Sequence, residues 1–199
     1  MTTRSMTSPS VQPLPHVVTE KGNGTLEIFP IEPSEAVLFE LFQDLFGHYW
    51  QQIHFGPLVQ GAVFEIRATA APEKISMLDG YLTVDFGTWH FHICIGEHKG
   101  TRNHPVDPEL AHHRRTARAE LYRRINQEGT PDSWGVRLFN GKDEQQITIF
   151  LPNPFLSDEM AYLNEPDWSR LALWDMLRKK YLGLDPDPRD RSARRFIHG

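Results

Sequence analysis

Apolar and polar residues alternate with a period of two between residues 81 and 95, which predicts a β-hairpin with two unlike faces. Residues 81–86 and 89–95 form its two strands, and Gly87 opens a two-residue loop, as a type II′ turn requires. The register set by this turn places one apolar set on a face that we expect to meet the core: Leu82, Val84, Phe86, Trp89, Phe91 and Ile93. The opposite face carries three other pairs: Asp85 with His90, Thr83 with His92, and Tyr81 with Cys94.

Similar periodicities divide the rest of the chain. Further strands are predicted over residues 25–31, 58–68, 134–139 and 146–151. Helices are predicted over residues 33–54, 107–126 and 166–182, where apolar side chains recur at intervals of three and four. We expect Ala62, Phe64 and Ile66 to lie in the core and the arginines of the middle helix to face water. The polar composition of residues 1–24 and 184–199 predicts a disordered leader and a flexible tail.

This order of elements predicts an α+β fold, because the helices are separated by groups of two or three strands. We expect a single domain over residues 25–183, built as a two-layer sandwich with a mainly antiparallel sheet and helices on one face. A ferredoxin-like core with an extra strand and a C-terminal helix fits this order. The other sheet face would then be free, and we expect it to carry His90 and His92.

Composition and charge exclude several classes of function. The chain has 199 residues, with 26 acidic against 21 basic side chains and a net charge of −5, so it offers no electrostatic footprint for nucleic acid or an anionic membrane. No window approaches the roughly 20 apolar residues that span a bilayer. The first residues lack the apolar segment of a signal peptide, so we expect a cytoplasmic protein. A single cysteine excludes an internal disulfide.

The polar face of the hairpin is where chemistry is most strongly indicated. His90 and His92 project from the same side of one strand, roughly 6.5–7 Å apart at the backbone, so their imidazoles could share one ion. The candidates for a further ligand follow closely in the sequence: Cys94, Glu97, His98 and His104. This donor set predicts a transition metal such as zinc or iron and does not choose between them.

Two carboxylates near the histidines have possible supporting roles. Asp85 lies opposite His90 and would either bind the ion or hold an imidazole through its second ring nitrogen. If the protein is an enzyme, Asp85 or Glu97 would orient ligands or move protons. The sequence contains no phosphate-binding loop, nucleophile elbow or dinucleotide fingerprint, so it names neither a reaction nor a substrate.

The spacing of His90, His92 and Glu97 resembles the first metal motif of the cupins. The resemblance covers these three residues alone, and no second histidine motif follows them. The predicted amphipathic helices are incompatible with the all-β barrel of a cupin. The resemblance therefore implies a set of ligands and not a fold.

The segment WHFHICIGEHKG, residues 89–100, resembles an uncharacterised family of bacterial α+β proteins over residues 55–155. Some members are described as candidate haem binders, which implies haem as a cofactor and His90 or His92 as its axial ligand. An apolar slot for the ring would come from Phe55, Tyr81, Trp134 and Phe139. The propionates would be met by Arg67, Arg102 or Arg137. The sequence has no CxxCH motif, which excludes covalent attachment.

A second hypothesis requires neither metal nor haem. The free sheet face would bury against a second copy of the chain or another partner, and the histidines would be structural or pH-responsive polar groups. Cys94 also has two interpretations, as a ligand or as an inert core residue.

Overall fold

The structure is a computed structural model that describes residues 14–59 and 61–196. In chain order, its elements are β1 (His16–Glu20), β2 (Gly24–Ile31), α1 (Glu35–Phe42), β3 (His54–Gly56), β4 (Leu58–Val59), β5 (Ala62–Val63), β6 (Lys74–Leu78), β7 (Tyr81–Asp85), β8 (His90–Cys94), β9 (Gly100–Thr101), β10 (His104–Pro105), α2 (Pro108–Arg114), β11 (Thr116–Ile125), β12 (Pro131–Asn140), β13 (Gln145–Phe150) and α3 (Ala172–Leu182). Helix α1 continues as a π-helix over Gln43–His48, and short 3₁₀ turns occupy Trp50–Gln52, Trp168–Leu171 and Pro188–Arg191.

The strands form two principal antiparallel sheets. The larger sheet has six strands in the order β1-β2-β11-β12-β13-β3, and the smaller has three in the order β6-β7-β8. The prediction of an α+β fold with a mainly antiparallel sheet and a C-terminal helix is confirmed. The strand order differs from a ferredoxin-like core, because β11, β12 and β13 follow one another as direct neighbours without an intervening helix.

The main core contains side chains from both sheets and from α1, its π-helical extension and α3. Trp134 and Trp174 are among its largest fully buried side chains. Gly183 ends α3 in the left-handed conformation at φ +69°, as a helix stop requires. Within residues 14–59 and 61–196, no helix has the length and apolar character needed to span a bilayer.

The predicted hairpin is confirmed together with its register. Strands β7 and β8 pair Asp85 with His90, Thr83 with His92 and Tyr81 with Cys94. Gly87 adopts φ +81° at the first position of the turn, and the Phe86 N–H donates to the carbonyl of Trp89. A third strand, β6, which the sequence pattern did not predict, pairs with β7 on its other side.

The predicted strand over residues 58–68 is wrong. The chain here forms only the two-residue strands β4 and β5 and an isolated bridge between Phe55 and Ile66, and residue 60 lies outside the described residues. The side chains expected in the core are exposed, with relative exposures of 51% for Phe64 and 36% for Ile66. The alternation of this segment therefore does not correspond to burial.

The predicted helix over residues 107–126 is wrong beyond Arg114. Helix α2 is short, with Asp107 as its N-cap and no buried residue, and residues 116–125 form β11 inside the large sheet. The expectation that the arginines face water holds for Arg114 and Arg115 and fails for Arg123, which is 2% exposed. It lies on the core side of β11 and binds buried carboxylates.

The predicted leader and tail are partly ordered. Within residues 1–24, residues 16–20 form strand β1, which pairs with β2. Residues 1–13 lie outside the described part of the chain. In the predicted tail, Asp190 is fully buried and Ala193 is 4% exposed. These two side chains pack into the fold, whereas others in the segment such as Asp185 are exposed, and residues 197–199 lie outside the described part.

A buried ion-pair network covers the face of the large sheet opposite the main core. Arg137 donates through Nε to Glu120 at 2.8 Å and through Nη1 to Glu20 at 2.8 Å. Glu20 is the last residue of the edge strand β1, and Arg137 lies on the inner strand β12 of the same sheet. The ion pair therefore ties the end of the edge strand to the middle of the sheet. The hydrogen bonds from Arg137 lower the pKa of Glu20, although burial opposes the shift.

We expect Glu20 to stabilise the fold at neutral pH and to lose this effect in acid. Its pKa is lower in the folded state than its ordinary value of 4.5, so its contribution is complete above that pH and disappears as the pH falls through the folded pKa. At pH 7, Glu20→Gln should lower Tm by about 2–4 °C. Melting curves between pH 7 and pH 3 should show the two proteins converging. A gap independent of pH, or an equal effect from Glu32→Gln at an exposed site, would contradict this.

Candidate ligand groove

Strand β8 presents an open edge, because it is the last strand of the small sheet. The Phe86 N–H donates to the Trp89 carbonyl, and the Ile95 N–H donates to the Gly80 carbonyl. These two bonds show which residue pairs of the β7–β8 ladder are hydrogen-bonded and which are not. His90, His92 and Cys94 therefore occupy its non-hydrogen-bonded positions. Their own N–H and C=O groups point away from β7, toward the open edge.

The two histidine side chains of β8 lie next to each other and are exposed. Their ring centroids are 4.9 Å apart. Across the hairpin, Thr83 Oγ1 lies 2.7 Å from Nδ1 of His92. A hydroxyl accepts as well as donates, so Nδ1–H can donate to Thr83 and leave the Nε2 lone pair free for a metal.

The open edge of β8 forms one wall of a groove of about 1060 Å³. The other wall comes from β13 and from the residues around β3. Its apolar lining consists of Phe55, Pro57, Ile66, Trp89, Phe91, Ile93 and Ile147. Its polar lining includes Tyr81, His90, His92, Cys94, Arg114, Asn140, Glu144, Gln145 and Gln146. Two imidazoles therefore share one groove with aromatic rings and a guanidinium.

Cys94 lies at the inner end of β8 and remains a thiol. It is 3% exposed, and burial raises the pKa of its thiol. Its Sγ donates a weak hydrogen bond to the carbonyl of Gly96 at 3.6 Å. A neutral, buried thiol is a poor nucleophile and a poor metal ligand, which favours the interpretation of Cys94 as a core residue.

The remaining predicted metal ligands do not converge with His90 and His92. Among residues 14–59 and 61–196, no three His, Cys, Asp or Glu side chains are grouped so that they could hold an ion. His98 instead packs against the ring of Tyr81 at 5.0 Å and lies 3.4 Å from Asp79. His104 is exposed in the β9–β10 hairpin.

The two predicted catalytic carboxylates have other contacts. Asp85 Oδ1 accepts the N–H of Gly87 at 2.9 Å and so supports the hairpin turn. Glu97 is exposed and forms an ion pair with Lys99 at 3.1 Å. The side chain across the hairpin that contacts the imidazole of His92 is Thr83, on the same strand as Asp85.

Of the residues expected around haem, Phe55 and Tyr81 line the groove and the others lie elsewhere. Trp134 is 1% exposed in the core, where its Nε1 donates to Asp190. Phe139 is 7% exposed, beneath the guanidinium of Arg118. Arg137 is buried with Glu20 and Glu120, Arg67 lines a separate cavity of about 490 Å³, and Arg102 is exposed in the β9–β10 turn.

Sequence reasoning missed the contact of Thr83 with His92 and the place of Arg114 in the groove. Thr83 was placed opposite His92 by the predicted register, and that pairing was the available signal for its contact. Arg114 ends α2 and comes to the groove through tertiary packing. No local pattern distinguishes it from the neighbouring arginines.

Comparison with known proteins gives a family and one distant structure. The profile of DUF7676, described as a family of unknown function, matches residues 15–183. No curated protein matches the chain. The solved structure titled "Crystal structure of ChuX" is similar with a TM-score of 0.49 and 13% sequence identity, over 80% of this chain and 78% of that chain. This likeness carries no inference about a ligand.

Proposed function

The chain belongs to DUF7676, a family of unknown function, and we propose that it binds haem in the groove beside β8, with His92 as the axial ligand. The observation that carries the proposal is the sharing of one groove by His90, His92 and an apolar wall that includes Trp89 and Phe91.

The size and lining of the groove support a flat apolar ligand. Its volume of about 1060 Å³ lies at the upper end of ligand sites, which span roughly 300–1,000 Å³. The half-buried Trp89 stacks on Phe55, which is 2% exposed, with ring centroids 6.1 Å apart and an interplanar angle of 21°, so Trp89 presents the aromatic surface. Such aromatic surface favours a planar macrocycle over a small polar metabolite.

The donor set supports haem rather than a free ion. A structural or catalytic zinc ion takes three or four protein ligands, and no such group exists among the described residues. Haem iron already has four nitrogens from its ring, so one axial imidazole is enough. His92 is the better placed of the two histidines, because Thr83 holds its Nδ1 and fixes the ring.

Titration with haem tests the proposal. We expect the wild-type protein to give a stoichiometric shift of the Soret band, and His92→Ala to lose that shift or weaken binding about 100-fold or more. Removing the supporting hydroxyl in Thr83→Val should weaken binding about 10-fold. His104→Ala, which removes an exposed histidine outside the groove, is the matched control. The proposal fails if wild-type protein gives no shift, or if the His90→Ala, His92→Ala double variant binds as well as the control.

A second candidate function follows from the open edge of β8. Its outward N–H and C=O groups could pair with a strand of a second copy, as exposed sheet edges do. Light scattering on the same proteins separates the two functions. A haem-independent dimer that dissociates in His90→Pro, which removes one outward N–H, would favour the second candidate. A monomer that binds haem would exclude it.

A further inference from the structure

The two ends of the groove differ in chemistry. Near Trp89, at the start of β8, the lining is apolar and includes Phe55 and Ile66. Near Cys94, about 17 Å along the strand, it is polar. This contrast suits a ligand with an apolar body and charged groups on one side.

Arg114 supplies a positive charge at the polar end. None of the ion pairs within the described part of the chain involves its guanidinium. Glu144, the carboxylate nearby in the lining, is already engaged by His113 Nε2 at 2.7 Å and by Asn140 Nδ2 at 2.8 Å. A carboxylate brought into the groove would therefore meet an uncompensated cation.

Tyr81 places a hydroxyl beside that cation. Both side chains line the same groove, and the positive charge of Arg114 acts to lower the pKa of the Tyr81 phenol, although burial outweighs it. Burial raises the pKa of Tyr81, so the phenol keeps its proton at neutral pH and remains a donor. The ring is held from behind by the edge-on contact with His98.

The backbone around Arg114 is fixed to both walls of the groove. Gln146 Nε2, from β13, donates to the carbonyl of Arg114 at 2.9 Å. Thr116 Oγ1 lies 2.7 Å from Gln146 Oε1 and 3.0 Å from the carbonyl of Cys94 on β8. This arrangement fixes the backbone from which the Arg114 side chain extends, so that part of the site need not be ordered when a ligand binds.

We propose that Arg114 and Tyr81 recognise a carboxylate of the ligand, so that the groove selects tetrapyrroles with free carboxylate side chains. The inference rests on the proposed function of the groove and adds the chemical class of its ligand. A guanidinium matches a carboxylate through two parallel hydrogen bonds, and the Tyr81 hydroxyl adds a third donor. An esterified ring would fill the same space without satisfying these donors.

The test compares haem, its dimethyl ester and metal-free protoporphyrin IX on wild type and Arg114→Gln. We expect wild type to bind haem at least about 10-fold more tightly than the ester. Arg114→Gln should abolish that preference, and Arg102→Gln, at an exposed arginine outside the groove, should retain it. Tyr81→Phe, which keeps the ring, should reduce the preference in part. Circular dichroism confirms that each variant is folded.

Protoporphyrin IX separates this inference from the proposed axial ligation, because it has the carboxylates without iron. Arg114-dependent binding of protoporphyrin with no His92-dependent Soret shift for haem would support the carboxylate site and overturn the axial ligand. A His92-dependent shift with equal affinity for haem and ester in wild type would overturn the carboxylate site alone. Failure of all three ligands to bind would overturn both.

Discussion

Replacing Asp190 with alanine should lower the free energy of unfolding by about 3–5 kcal/mol, because the change leaves buried charge without its partner. Asp190 is fully buried and accepts four hydrogen bonds. The donors are Arg123 Nη1 at 2.8 Å, Trp134 Nε1 at 2.9 Å, Trp174 Nε1 at 2.8 Å and Arg178 Nη1 at 3.4 Å. They come from β11, β12 and α3, so one carboxylate joins the sheet, the last helix and the C-terminal segment.

Arg178 is the side chain most affected by this loss. Its Nη1 pairs with Asp190, and its buried Nε has no hydrogen-bond partner among the described residues. Arg123 is less dependent, because it also pairs with Glu27 and Asp187. The cost should therefore come mainly from one stranded guanidinium and two indole N–H groups.

Urea unfolding measures this effect, and a neighbouring aspartate provides the control. Asp185→Ala removes an 81% exposed side chain paired with Lys179, and its urea midpoint should stay close to that of the wild type. If Asp190→Ala does not fold, Asp190→Asn keeps the shape and should still lose more stability than Asp185→Ala. Equal midpoints for the two positions would show that the buried carboxylate does not anchor the segment.

Local chemistry explains why the hairpin was predicted correctly. Its turn and its alternation lie within 15 consecutive residues, and a two-residue loop fixes the register. The sequence contains a second hairpin signal of the same kind, the pair Asp79-Gly80. These two residues form the turn between β6 and β7 with positive φ angles of +46° and +80°. An Asp-Gly pair flanked by alternating residues is typical of a hairpin and would have revealed β6.

Buried arginine explains why β11 was predicted as a helix. Arg123 lies on the core side of this strand, where strand alternation would require an apolar residue. Its partners Asp190 and Glu27 lie 67 and 96 residues away in sequence. A pattern of neighbouring residues cannot show that distant carboxylates neutralise a buried guanidinium. The spacing of the apolar residues in this segment therefore matched a helix and not a strand.

The histidine face could be predicted, but its surroundings could not. His90 and His92 share a side of β8 because of the strand period, which is a local property. The second wall of the groove comes from β13 and the arginine from α2, and both arrive through tertiary packing. Asp85, expected to support an imidazole, accepts the turn N–H of Gly87 through Oδ1, a contact that the alternation of residues does not reveal.

Replacing Gly80 with alanine should destabilise the fold by about 2–5 kcal/mol, because conformation and space both exclude a side chain. Its φ of +80° costs an alanine about 1–2 kcal/mol. An added Cβ would also lie 2.6 Å from the carbonyl carbon and oxygen of Glu97 and 2.8 Å from the N of His98. These are backbone atoms, so the overlap forces the chain to move, at a further cost of about 1–3 kcal/mol.

Gly129→Ala separates the two contributions to this loss. Gly129 has a similar φ of +77°, but no atom lies within 4 Å of its ideal Cβ position, so only the conformational cost applies. Urea unfolding of both variants should give a difference of about 1–3 kcal/mol that measures the overlap. Equal losses of unfolding free energy in the two variants would mean that residues 97–98 move aside at no measurable cost.

The Gly80 substitution should also weaken ligand binding in the groove. The Gly80 carbonyl accepts the N–H groups of Ile95 and Gly96, directly after the strand that carries His90 and His92. Displacing this contact moves the polar end of β8 relative to Arg114, so haem affinity should fall more in Gly80→Ala than in Gly129→Ala under conditions where both are folded. Unchanged affinity would show that the groove is positioned independently of the β6–β7 turn.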